Sequence, residues 1–141
     1  MPGEAPIEGG CLCGGIRYRI TGSPRISTLC HCRSCRRAAG APTLAWISLS
    51  RSDFQITSGA PARFNSSPGI VRQFCPTCGT QLSWEEIAAP DVIDITTASL
   101  DTPEAFPPAK EIWLDHRIPW ESTNGPALRF ARSSKGAAPL P

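Results

Sequence analysis

Cysteines are the side chains of this sequence best able to do chemistry, and they fall into three groups. Cys11 and Cys13 form a Cys-x-Cys pair, Cys30, Cys32 and Cys35 lie within six positions, and Cys75 and Cys78 form a Cys-x-x-Cys turn followed by glycine. Such a turn aims both sulfurs at one point, and its glycine takes a backbone conformation that other residues avoid. An odd total of seven cysteines fits full disulfide pairing badly, which favours metal binding.

The spacing also predicts how the cysteines divide between two zinc ions. Pairing the first and last groups gives four thiolates for one tetrahedral site and leaves the central three together. Any other division leaves a distant single thiol or five sulfurs around one metal. We therefore expect a structural zinc on Cys11, Cys13, Cys75 and Cys78. Buried free thiols acting as small hydrophobic side chains are the alternative interpretation.

The central group, Cys30, Cys32 and Cys35, has the pattern of a catalytic zinc with three protein ligands and one open position. Three thiolates on a divalent ion leave a net negative charge, so this zinc should activate water poorly. It is better suited to hold an exogenous thiol as a nucleophilic thiolate. His31 is the other candidate ligand, but the middle residue of an extended Cys-x-Cys points the opposite way. We expect it at the surface or behind the ligands.

Three arginines lie close in sequence to the central cysteines. Arg33, Arg36 and Arg37 lie beside the central cysteines, where they can offset the negative charge and bind the carboxylates of an anionic thiol. A solvated helix face is the alternative interpretation of these charges. His116 lies far along the chain and has no metal-ligand spacing.

Composition and patterning predict a mainly β fold with one short helix. Fifteen prolines and twelve glycines among 141 residues argue against long helices. The helix is predicted from Cys32 to Ala39, stopped by Gly40 and Pro42. Short β-branched or aromatic segments predict strands at 16–20, 44–50, 53–57, 70–74, 80–84, 92–97 and 111–115. We expect one domain over 1–132 and a flexible tail over 133–141.

The sequence also bears on location and partners. No apolar run approaches membrane-spanning length, and the N-terminus lacks the pattern of a signal peptide, so a cytoplasmic chain with no membrane partner is expected. The formal charge is +2. Two zinc ions on seven thiolates would lower it by about 3, so we do not expect a nucleic-acid partner. The sequence leaves a homodimer open beside a monomer.

Three segments carry a resemblance to a known family. "GGCLCGGIRY", "CHCRSCRRAAG" and "RFNSSPGIVRQFCPTCGTQL" resemble the glutathione-dependent formaldehyde-activating enzyme family, whose relatives include centromere protein V. The match runs from about Gly9 to Trp120 and extends through "ASLDTPEAFPP" and "IPW". It includes Ser66, Ser67, Arg72 and Phe74 before the last cysteine pair.

The resemblance implies a zinc-stabilised β-tent fold of several small coiled antiparallel sheets, shared with Rab exchange factors of the Mss type. It implies the same two zinc sites, structural on the outer cysteines and catalytic on Cys30, Cys32 and Cys35. The activity it implies is addition of glutathione to formaldehyde, which gives S-hydroxymethylglutathione and is a carbon–sulfur lyase reaction in reverse. The partner would be a small-molecule thiol–aldehyde adduct.

One departure and three rival functions accompany this resemblance. Members often carry a histidine before the last apolar strand, where this chain has Glu111 ahead of "IWL", and that change bears on the substrate pocket. A glutathione or thiol carrier without catalysis is one rival. A zinc-stabilised interaction module is another, although only Arg132 and Lys135 lie near the end where a basic tail would support it. A methionine sulfoxide reductase would need two Cys-x-x-Cys pairs for one zinc and a separate redox cysteine. The Cys-x-Cys of Cys11 and Cys13 and the clustered central cysteines do not fit that arrangement.

Overall fold

The computed structural model describes residues 5–121 and 128–141, and these residues contain eleven strands and one α-helix. The strands are β1 (Ile7–Gly10), β2 (Arg17–Ile20), β3 (Ile26–Cys30), β4 (Leu44–Ser50), β5 (Phe54–Ser58), β6 (Ala62–Ser67), β7 (Ile70–Phe74), β8 (Gln81–Glu86), β9 (Val92–Thr96), β10 (Lys110–Ile112) and β11 (Leu128–Arg129). The helix α1 spans Arg33–Ala39. The predicted mainly β fold with one short helix is confirmed.

The strands form two sheets. The smaller has the order β1–β2–β5, and the larger has the order β11–β10–β3–β4–β9–β8–β7–β6. Neighbouring strands are antiparallel except at β10, which pairs in parallel with both β3 and β11. These two parallel pairs depart from the wholly antiparallel sheets that were expected. They bring a segment from late in the chain beside the strand that ends at Cys30.

Strand β4 separates two hydrophobic clusters. Because successive side chains of a strand point to opposite faces, Ile47 and Leu49 enter the main core while Trp46 packs against Cys30 and Cys35 on the other side. Ile47 and Leu49 are fully buried, and burial of each side chain contributes about 1.5–3 kcal/mol. The strand therefore anchors the fold on one face and supports the central cysteines on the other.

Most predicted strands agree with the structure, and the last one does not. The strands at 44–50 and 70–74 have the predicted bounds, and four others agree within two residues. The segment predicted as a strand at 111–115 remains extended only to Ile112. Trp113 then takes a left-handed conformation with φ 61°, and a 3-10 turn follows over Leu114–His116. Strands β1, β3, β6 and β11 were not predicted.

Two further expectations concern the tail and the membrane. Ser134 accepts a hydrogen bond from the Lys110 ammonium at 2.7 Å, and the backbone N–H of Leu140 donates to the carbonyl of Arg129 at 2.7 Å. The structure thus places residues of the 133–141 segment against β10 and β11, and its flexibility stays a prediction.

Among the described residues, no helix is long and apolar enough to cross a membrane.

The turn after β5 gives a test of the packing beside the first cysteines. Gly59 has φ +79°, and a Cβ there would lie 2.2 Å from the carbonyl oxygen of Gly15. Gly69 has a similar φ of +75°, but a Cβ there would meet nothing within 4 Å. Both alanine variants should lose roughly 1–2 kcal/mol of folding stability, because alanine disfavours the left-handed backbone conformation. Gly59→Ala should lose about 1–3 kcal/mol more in urea unfolding. Equal losses for the two variants would show that the contact with Gly15 does not constrain the fold.

Candidate metal centres

Four cysteines from two distant turns converge in the first site, which we call the four-cysteine cluster (Cys11, Cys13, Cys75 and Cys78). Their sulfurs all lie within 4.8 Å of one another. The Cys11 and Cys13 sulfurs are 3.5 Å apart, and those of Cys13 and Cys75 are 3.8 Å apart. A tetrahedral zinc with bonds of about 2.3 Å requires sulfur separations of about 3.8 Å. The cluster therefore has the donor set and the spacing for a closed zinc site.

Hydrogen bonds from the backbone fix these sulfurs. The N–H of Ile16 donates to the sulfur of Cys11 at 3.2 Å, and the N–H of Cys78 donates to the sulfur of Cys75 at 3.4 Å. The Thr80 hydroxyl accepts from the N–H of Leu12 at 3.0 Å and lies 3.2 Å from the Cys78 sulfur, so it joins the two turns. Hydrogen bonds from the Thr80 side chain and backbone lower the pKa of the Cys78 thiol to about 5.

The second site, the three-cysteine cluster (Cys30, Cys32 and Cys35), is built where a strand meets the helix. Its sulfurs also lie within 4.8 Å of one another. Cys30 ends β3, Cys32 is the N-cap of α1, and the Cys32 sulfur accepts a hydrogen bond from the Cys35 N–H at 3.3 Å. The neighbouring thiols of Cys30 and Cys35 lower the pKa of Cys32 to about 2, which favours its thiolate. Cap and candidate ligand are thus the same atom.

Among the residues that the structure describes, apolar side chains and the cation of Arg72 contact the three-cysteine cluster. Cys30 and Cys35 are buried with Trp46, and the partly buried side chains packed against them are Cys32, Leu44, Trp84, Ile112 and Trp113. Arg72 reaches in from β7, and its Nη2 donates to the Cys35 sulfur at 3.7 Å. Arg72 belongs to the family pattern that the sequence shows, but its position in the sequence predicts no contact with this site.

His31 lies between two of these cysteines but does not join them. Its side chain is fully buried, and its Nε2 is 2.9 Å from the equally buried Oε1 of Glu111. The Nε of Arg129 lies 3.4 Å from the other oxygen of Glu111. A surface position for His31 is therefore wrong. The register of β3 against β10 brings these side chains together across 80 residues, and no local spacing predicts it.

The three arginines divide between two environments. Arg36 and Arg37 line a cavity of about 410 Å³ with Gly40, Ala41, Pro42, Ile118 and Trp120. Arg33 is not among its lining residues, and its Nη1 lies 3.4 Å from Nε2 of His116, whose ring stacks on Trp113. None of the three central cysteines lines this cavity.

Comparison with known proteins identifies the family of this chain. The family model described as glutathione-dependent formaldehyde-activating enzyme matches residues 6–116. The chain belongs to this family. A curated protein of Halomonas elongata, named "Putative glutathione-dependent formaldehyde-activating enzyme", is 27% identical over 124 residues, which are 81% of this chain and 78% of that protein. The family resemblance read from the sequence is thereby confirmed.

A solved structure has a fold similar to that of this chain. The crystal structure of a Rhodobacter sphaeroides protein aligns with a TM-score of 0.57 at 22% identity. The alignment covers 67% of this chain and 87% of the other. At that identity the likeness concerns the fold alone.

The two clusters should differ in what they do for stability. Cys11→Ser or Cys78→Ser should strongly destabilise the protein, because metal binding that joins two distant turns is coupled to folding. Cys32→Ser should leave a folded domain with about one zinc fewer, because the three-cysteine cluster spans only a short loop. Thermal melts combined with zinc analysis measure both effects. Equal destabilisation by the two kinds of variant would contradict the division into a structural and a second site.

The buried pair of His31 and Glu111 gives another prediction. Glu111→Ala leaves the buried Nε2 of His31 without its acceptor and should cost roughly 1–3 kcal/mol. Glu111→Gln keeps an oxygen acceptor and should cost less. Glu8→Ala is the control, because Glu8 forms an exposed ion pair with Arg19, which contributes about 0–1 kcal/mol. Urea unfolding at neutral pH measures all three. A loss for Glu111→Ala no larger than for Glu8→Ala would contradict the role of the pair.

Proposed function

We propose that this chain is a zinc-dependent carbon–sulfur lyase that acts on the adduct of glutathione, or a similar thiol, with an aldehyde such as formaldehyde. The observation that carries the proposal is a three-sulfur cluster at the junction of β3 with the short helix α1, which also carries two arginines that line a cavity. Membership of the family and the name of the Halomonas relative support the substrate class. Seven free thiols support a reducing, cytoplasmic location.

The donor sets fit two metal ions with different tasks. Four sulfurs complete a tetrahedron, so the four-cysteine cluster suits a structural zinc. Zinc held by Cys30, Cys32 and Cys35 would supply one further coordination position, with a preference for sulfur, and would favour the thiolate form of a bound thiol. Because of this difference in ligand number, we assign the carbon–sulfur lyase reaction to the three-cysteine cluster.

The chain's own side chains would bind and orient the substrate. Glutathione carries two carboxylates, and Arg36 and Arg37 present two guanidinium groups to one cavity, where charge-assisted hydrogen bonds can hold them. Ile118 and Trp120 give this cavity an apolar side that reduces access of water to the bound substrate. Its volume of about 410 Å³ falls in the range of small-ligand sites.

The reaction balances without a redox partner. In the direction of synthesis, the thiolate sulfur forms a bond to the carbonyl carbon of the aldehyde, and the electron pair of the C=O π bond moves to oxygen. That oxygen takes up a proton, which replaces the one lost when the thiol ionised. In the reverse direction the hydroxyl proton leaves, the carbon–sulfur bond breaks, and aldehyde and thiolate separate. Holding the sulfur and the carboxylates together would accelerate this step by positioning the reacting atoms.

Binding measurements test the substrate. Glutathione should bind in calorimetry, and S-methylglutathione should bind much more weakly, because a thioether cannot supply a thiolate. Arg36→Ala should weaken glutathione binding by about tenfold through the loss of one charge-assisted hydrogen bond. Arg19→Ala, which removes an exposed arginine of β2, is the matched control and should change little.

Two outcomes would redirect the proposal. With cobalt in place of zinc, glutathione but not S-methylglutathione should change the visible absorption, and equal binding without any spectral change would contradict a sulfur-centred site. The rate of adduct formation from glutathione and formaldehyde, followed by NMR, should rise with protein concentration. Tight thiol binding with no rise in rate would replace the lyase by a thiol carrier that uses the same residues.

A further inference from the structure

Arg72 is a buried cation without a carboxylate partner. Its exposure is only 4%, and it lies in the middle of β7 in register with Trp84 of β8. None of the ion pairs among the described residues includes it. An arginine stays charged at any ordinary pH, and an unpaired charge in the interior is strongly unfavourable. The structure must therefore balance this charge by another group.

The contacts of the guanidinium identify that group. Its Nε donates to the Ser66 hydroxyl at 3.1 Å, and its Nη2 donates to the Cys35 sulfur at 3.7 Å. Its Nη1 is buried and has no hydrogen-bond partner among the described residues. The central carbon lies 5.9 Å from the centre of the Trp46 ring, which also packs on the cysteines. Among the described residues that contact this cation, Cys35 offers the group that can carry a full negative charge, its sulfur.

We propose that Arg72 is the fixed counter-ion of the three-cysteine cluster and that its charge raises the affinity of this cluster for zinc. The inference rests on the proposed function, because it takes the cluster to be a zinc site. Three thiolates with one zinc ion have a net charge of about −1, and Arg72 makes the assembly neutral. A neutral assembly is far less costly to bury than an anionic one. It also repels an incoming anionic sulfur less than a negatively charged cluster would.

The neighbours of Arg72 are suited to such a role. Ser66 and Trp46 hold the guanidinium on two sides, so its charge stays beside Cys35. The Arg72 side chain therefore does not have to be ordered when the metal binds. Arg33 and Arg37 of α1 differ in this respect, because they are exposed and solvent screens their charges. Arg72 is thus a positioning residue that acts on the cluster, and Arg36 and Arg37 remain the groups for substrate carboxylates.

The test measures zinc affinity at each cluster of the full chain by competition with a chromophoric chelator. The variants are Arg72→Met, Arg72→Gln and Arg72→Lys, with Arg63→Met as a matched control on the neighbouring strand, where the arginine is exposed. The four-cysteine cluster of each variant serves as an internal reference, and Cys32→Ser identifies the step that belongs to the three-cysteine cluster.

Arg72→Met should weaken zinc binding at the three-cysteine cluster by about tenfold or more and leave zinc binding at the four-cysteine cluster unchanged, because a positive charge 3.7 Å from the Cys35 sulfur is lost. Arg72→Lys keeps the charge and should recover much of the loss. The rise in melting temperature on adding the second equivalent of zinc should be smaller in Arg72→Met than in the wild type. If Arg72→Met does not fold, Arg72→Gln supplies the neutral variant for the same comparison.

Three results would overturn the inference. Unchanged affinity for the second zinc in the neutral variants would show that the charge of Arg72 does not matter. Equal weakening in Arg72→Lys and Arg72→Met would show that shape matters and charge does not. A wild-type chain that binds one zinc only would overturn this inference together with the proposed metal site, whereas two zinc ions with unaffected neutral variants would overturn the inference alone.

Discussion

Seven cysteine sulfurs gathered into two small volumes create negative charge that the protein must balance as they ionise. The four-cysteine cluster receives backbone N–H groups from two turns and lies partly open to solvent at Cys13. The three-cysteine cluster is more enclosed, with aromatic side chains around it and one buried guanidinium beside it. Much of the architecture can be understood as a way to bring these charges and their partners together.

The larger sheet provides the common frame. Strand β3 delivers Cys30, β7 delivers Arg72, and β4 lies in the same sheet with Trp46 directed at both. The helix that follows β3 begins at a cysteine sulfur, so the start of the helix and the geometry of the cluster depend on each other. A shift in strand register would therefore change the surroundings of the cluster as well as the packing of the core.

Short-range patterns made the cysteine groups, the helix and several strands predictable. The turn at Cys75 and Cys78 and the helix stop at Gly40 depend on a few adjacent residues, and β4 and β7 have the composition of buried strands. The roles of Thr80, Arg72 and Glu111 could not be predicted in this way, because their contacts span 68, 37 and 80 residues. Strand β6 was missed because it is a polar, largely exposed edge, and the left-handed Trp113 ended a segment whose composition favours a longer strand.

The parallel pairing of β3 with β10 has a consequence for biosynthesis. The ribosome makes β3 about eighty residues before its neighbour on that side, so the nascent chain must carry an open sheet edge and a His31 side chain without its partner Glu111 until β10 has been made. Contacts so distant in sequence also slow folding, because the long intervening loop must close first. A chain that ends before β10, through premature termination, would leave this edge of β3 open to association with other chains, and chaperones would act on the same state.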